Sequence, residues 1–147
     1  MDKKIIIGVG VIALILLAVF VVKPKNSLVN RSNQAGVTKV QVFLFHATQR
    51  CPTCIKIGKL AQVTIEERFP EELKTGKIEF REINIDLPEN KALVEKFQAG
   101  GSALYINSIK DGQDNIAEDT MVWQLASGYE IKFKDYLSGK LNTILGI

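Results

Sequence analysis

Apolar residues are arranged along this chain in three ways, and the first is an unbroken run. From Ile5 to Val22 all 18 positions are aliphatic or Phe except Gly8 and Gly10. As a helix such a run extends about 27 Å at 1.5 Å per residue, close to the roughly 30 Å of bilayer hydrocarbon. It has no polar face, which argues against a soluble helix. It closes in AVFVVK, Ala18 to Lys23, without the small-residue pattern of a signal cleavage site. Residues 1–23 are therefore expected to form an uncleaved transmembrane signal anchor, with a cleaved signal peptide as the alternative. Lys3 and Lys4 before the run and Lys23, Lys25 and Arg31 after it leave orientation undecided by charge. The short N-terminus favours a cytoplasmic start and an extracytoplasmic body. Residues 24–36, PKNSLVNRSNQAG, are polar and aperiodic, which predicts a flexible linker.

Beyond Gly36 the pattern turns periodic. VQVFLF, from Val40 to Phe45, is short, β-branched and aromatic, the pattern of a strand buried on both faces. Cys54, Ile57, Ala61 and Ile65 recur at steps of three and four, widened by Leu60 and Phe69. This predicts a helix opening at Cys51-Pro52-Thr53-Cys54 and ended by Pro70. IEFREINI, residues 78–85, reads as a second strand whose apolar phase slips between Phe80 and Ile83. Asp86-Leu87-Pro88-Glu89 opens a helix with Leu93, Val94 and Phe97 as its core face and Gly100-Gly101 as its stop. A third strand from Ser102 to Asn107, a hairpin turn at Asp111-Gly112 and a weak fourth strand from Asn115 to Glu118 follow. Met121, Val122 and Leu125 mark a short helical piece. Phe133, Tyr136, Leu137, Leu141 and Ile144 mark a longer amphipathic helix. The order β-α-β-α-β-β-α predicts an α/β domain over residues 37–147, a right-handed βαβ unit followed by a hairpin with helices covering the sheet.

Composition narrows the function classes. The chain has 147 residues with 19 basic and 16 acidic side chains, a net charge of +3 too balanced for a nucleic-acid footprint. Beyond the anchor there is room for one domain with a real core. Only two cysteines occur, Cys51 and Cys54, so a multi-bridge scaffold and a single-chain four-cysteine zinc module are excluded.

The two cysteines sit where a buried strand gives way to a helix. The first sulfur of such a pair lies at the helix N-terminus, where unpaired N–H groups and the dipole favour thiolate. The second lies one turn on, within disulfide reach. Pro52 suits the first helical turn because its missing N–H costs nothing there. Arg50 would add positive charge near the thiolate. Cys54 falls on the apolar stripe, so Cys51 reads as the exposed attacking thiol and Cys54 as the sheltered resolving one. His46, the only histidine, reads first as a strand-end residue satisfied by backbone, and alternatively as a modulator of Cys51 or a third ligand. The acidic residues Glu66, Glu67, Glu71 and Glu72 read as a solvated face.

The element order with C-x-x-C after the first strand resembles the thioredoxin superfamily over roughly residues 37–147. More narrowly, Phe45-His46, Arg50-Cys51-Pro52-Thr53-Cys54, Lys56-Ile57, Asn84-Ile85-Asp86, Val122-Trp123 and Asp135-Tyr136 resemble membrane-anchored thioredoxin-like proteins labelled as the ArsF family, nitroreductase subunit. The resemblance implies a thioredoxin-like fold with Cys51 and Cys54 as catalytic residues; by their positions around the pair, Arg50, Pro52, Thr53, His46 and Ser102 are expected to modulate the site. Thioredoxin-like proteins usually place a cis-proline before the third strand, where this chain has Gly101-Ser102-Ala103-Leu104. The buried acid they place below the disulfide has no match in VQVFLF.

These readings lead to a membrane-tethered thiol–disulfide oxidoreductase of the cell membrane, single-pass through residues 5–22, with a protein thiol or disulfide as partner. Its working group is the redox-active disulfide, and no cofactor is expected. One alternative is a module binding a soft metal or metalloid, Cu, Zn or arsenite, through Cys51 and Cys54 with His46. The other is a non-catalytic subunit of a membrane redox complex.

Overall fold

The computed structural model describes residues 36–147; the expected anchor and linker lie outside the described residues. Among the described residues no helix is long and apolar enough to cross a membrane. Strand β1 (Val37–His46) is followed by helix α1 (Pro52–Arg68), a short α2 (Pro70–Lys74) and β2 (Ile78–Asn84). A 3₁₀ turn at Pro88–Asn90 leads into α3 (Lys91–Phe97). The hairpin of β3 (Ala103–Lys110) and β4 (Gln113–Glu118) precedes α4 (Met121–Ala126) and α5 (Glu130–Leu145). The four strands form one sheet in the order β2-β1-β3-β4, with β1 parallel to β2 and antiparallel to β3. This is a mixed α/β arrangement of one four-stranded sheet and five helices.

The alternation along β1 decides how the sheet is covered. Val40, Val42 and Leu44 point into a large cluster with Ile57, Ala61 and Ile65 of α1, Val122 of α4, and Phe133, Leu137 and Leu141 of α5. Phe43 and Phe45 point the other way, into a smaller cluster with Ile83, Phe97 and Tyr105. Four aromatic rings lie close there, Phe45 meeting Tyr105 edge-on at 5.5 Å between centroids. The expectation of burial on both faces therefore holds for Val42 to Phe45, which are fully buried, but not for Gln41. Helix α3 is too short to cover its whole face, and at the far end polar side chains take over. Gln41 and Asp114 both accept from the amide of fully buried Asn107, while its carbonyl accepts the Asn115 N–H.

Both ends of α3 differ from expectation, and one short helix was not expected. Pro70 does stop α1, because the ring clashes with helical geometry at the residue before it, and Phe69 leaves the helix at φ −135°. Pro70 then serves as the first residue of α2, a helix that sequence pattern did not reveal. After Asp86 the chain makes a 3₁₀ turn before the α-helix begins at Lys91. That helix stops at Gln98 in the left-handed region, φ 53°, ahead of the glycines expected to end it. The hairpin forms as its sequence predicts. Asp111 and Gly112 both have positive φ, 52° and 75°, as a two-residue turn matched to the strand twist requires.

Candidate functional site

The C-terminal ends of β1 and β2, the start of β3 and the exit of β4 all lie at one edge of the sheet, as the strand register dictates. The loop from Ala47 to Arg50 crosses this edge and delivers Cys51 to the start of α1. Its path is pinned by Thr48, whose N–H donates to Asp86 at 2.7 Å and whose hydroxyl accepts from the Asn84 amide at 3.1 Å. The backbone N–H of Thr48, then its hydroxyl, hold the Asp86 carboxyl below its ordinary value of 3.8, with His46 adding a smaller attraction.

Cys51 is the N-cap of α1. Its backbone is extended (φ −75°, ψ 153°), and its Sγ accepts the Cys54 N–H at 3.1 Å. A sulfur in this position meets one of the unpaired donors of the first turn and the positive end of the helix dipole. The two cysteines are joined in a disulfide with their Cα atoms 5.1 Å apart. Their exposures differ: Cys51 is open to solvent, whereas Cys54 is only 4% exposed, at the head of the buried stripe of α1. Pro52 and Thr53 are exposed in the turn between them.

Arg50 is placed beside the pair but does not present a free charge to it. Its Nη1 lies 2.6 Å from Glu82 of β2, and its Nη2 donates to the Cys54 carbonyl at 3.4 Å. Sequence reasoning missed Glu82. Its signal was the phase slip in β2: Ile78 and Phe80 face the large cluster, Ile83 faces the small one, and Glu82 occupies the intervening position beside Leu44. Gly58 was missed as well. A Cβ there would overlap the Glu82 carboxylate and come within 2.8 Å of Leu44 Cδ2.

His46 ends β1, half-buried, with Nδ1 2.9 Å from the neighbouring Ala47 carbonyl. Ser102 is half-buried directly before β3, whose first residue Ala103 pairs with Phe45. Among the described residues no three of His, Cys, Asp and Glu are grouped to hold a metal ion. Ile55, Leu87 and Met121 are large apolar side chains between 41% and 51% exposed. They sit on the first turn of α1, after β2 and after β4, all at the sheet edge that carries Cys51.

No family model matches the chain, and no curated protein matches it. Among solved structures it is similar to the zinc-bound form of human ERp44, at 17% identity over 70% of this chain with a TM-score of 0.47. It spans only 27% of that protein's length. A thioredoxin from Thermus thermophilus is 16% identical over 70% of this chain and 74% of its own, with a TM-score of 0.45. Fasciola hepatica thioredoxin is 20% identical over 69% and 81%, with a TM-score of 0.41. Nothing about activity follows from likenesses this distant; the chemistry rests on the sulfurs and their surroundings.

Proposed function

We propose that this protein is a membrane-tethered thiol–disulfide oxidoreductase in which Cys51 exchanges with a partner protein and Cys54 resolves. The carrying observation is the cap geometry, which sets an exposed Cys51 sulfur on the Cys54 N–H at the helix N-terminus with Cys54 sheltered behind it. In the reductive direction the Cys51 thiolate attacks a partner disulfide, forming a mixed disulfide and expelling one partner thiolate, which takes up a proton. Cys54 loses its proton and attacks Cys51 Sγ, expelling the second partner thiolate. Two electrons and two protons pass to the partner, and the Cys51–Cys54 disulfide is left. A second redox protein must restore the dithiol.

The exposed apolar rim of Ile55, Leu87 and Met121 supports a protein-sized partner, because it supplies surface for docking around an otherwise small site. Tethering rests on the uncharged Ile5–Val22 run. Insulin reduction by the full-length chain with dithiothreitol as electron source tests the activity. Turnover lost on replacing either cysteine with Ala is expected; equal turnover in parent and double variant contradicts the proposal.

A further inference from the structure

We propose that Glu82 is a positioning residue that sets the reduction potential of the Cys51–Cys54 pair, by holding the Arg50 guanidinium against the first turns of α1 and neutralising its charge there. This rests on the thiol–disulfide reading and extends it to a residue outside the CxxC motif.

Several independent features converge on the pair. Glu82 takes a position on β2 that the preceding pattern assigns to an apolar side chain, and there, still partly open to solvent, its carboxylate is placed to meet a cation. Arg50 supplies it from the loop, with side-chain exposures of 21% for Arg50 and 32% for Glu82. The guanidinium is wedged rather than free, since its Nε is buried without a partner while Nη1 and Nη2 reach Glu82 and the Cys54 carbonyl. On the helix side, Gly58 lies one turn after Cys54 and leaves out the Cβ that would occupy the carboxylate's place. Glycine is a poor helix residue, so position 58 gives up helix propensity where the ion pair needs room.

The electrostatic consequence follows from adjacency. An uncompensated guanidinium one residue from Cys51 favours thiolate, which stabilises the dithiol against the disulfide and makes the pair a stronger oxidant. Glu82 cancels that field locally. Without Arg50, the carboxylate acts in the opposite sense.

The test is equilibration of the full-length chain and its Glu82→Gln, Arg50→Gln and doubly substituted forms with reduced and oxidised glutathione at neutral pH. Two glutathione thiols supply two electrons and two protons, forming one glutathione disulfide and one protein dithiol. Thiol alkylation reads the dithiol fraction. Glu82→Gln is expected to move the equilibrium toward dithiol by about threefold or more, roughly 14 mV at 29.6 mV per tenfold. Arg50→Gln is expected to move it the other way, and the double variant to return close to the parent. Single variants that both match the parent, or that both move in one direction, overturn the proposal. If Glu82→Gln fails to fold by circular dichroism, Arg50→Gln and the double variant decide: a shift toward disulfide in the single variant, abolished in the double, supports the proposal, and any other result overturns it. Because this equilibrium needs no protein substrate, failure to reduce insulin would contradict the exchange reading alone.

Discussion

Cys51 and Cys54 are separated by one helical turn, and their surroundings divide the chemistry between them. Cys51, exposed and capped by an N–H, is expected to alkylate faster and at lower pH than the 4% exposed Cys54. Alkylation rate against pH in the two single-cysteine variants checks this, and identical profiles would remove the basis for the role assignment. Gly58→Ala should cost about 1–3 kcal/mol of stability, because the new methyl meets the Glu82 carboxylate and Leu44. Urea unfolding measures it, and a neutral or stabilising result would show that the ion pair does not need this space. At this scale the sequence revealed the cysteines, the capping position and Pro52, because each depends on neighbours along the chain. The field around Arg50 was not legible: its partner comes from another strand, and only the broken phase of IEFREINI marked the place.

Element by element, the strands and the longer helices followed from periodicity, whereas the short α2 was hidden and ends and attachments depended on tertiary partners. Gln98 can end α3 in place of the glycines because Ala99 is drawn into the small cluster and fixes where the chain must turn. The attachment of α5 was equally hidden. Asp119, 2% exposed, accepts from Tyr136 at 3.0 and 3.1 Å, from Lys140 at 2.8 Å and from the Met121 N–H at 3.1 Å. This clip ties the end of β4 and the start of α4 to the middle of α5. Burial, then Asp119, raises the Tyr136 hydroxyl above its ordinary 10.0. Burial alone would lower Lys140, but Asp119 outweighs it and raises the ammonium above 10.5. In both cases the native state keeps its proton longer than the unfolded chain, so the clip's contribution is present below the ordinary values and is lost as pH rises through the raised ones. Asp119→Asn is expected to lose about 2–3 kcal/mol at neutral pH and to show a shallower fall in stability above about pH 10. Urea unfolding at both pH values checks it; an unchanged alkaline slope would contradict the role of the clip.

For the whole molecule, the sheet is covered unequally, fully by α1, α4 and α5 on one face and partly by α3 on the other, where the Gln41–Asn107–Asp114 network closes the gap with hydrogen bonds. The layering of helices on a mixed four-stranded sheet was legible from element order, since a parallel β1–β2 pair with a helical crossover and a following hairpin leave few arrangements. The uneven cover was not, because it turns on how short α3 is. Membrane fixation is expected from the Ile5–Val22 run. Membrane fractionation with N-terminal sequencing tests it, and recovery of a soluble form beginning near Lys23 would contradict it. The central claim, that Cys51 exchanges with a partner and Cys54 resolves, is tested most directly by trapping. The full-length Cys54→Ala variant is expressed in its host, free thiols are blocked, and disulfide-linked adducts are separated without reductant. The account predicts discrete adducts that collapse on reduction and are absent from Cys51→Ala. Adducts equally abundant in both variants, or absent from both, would contradict it.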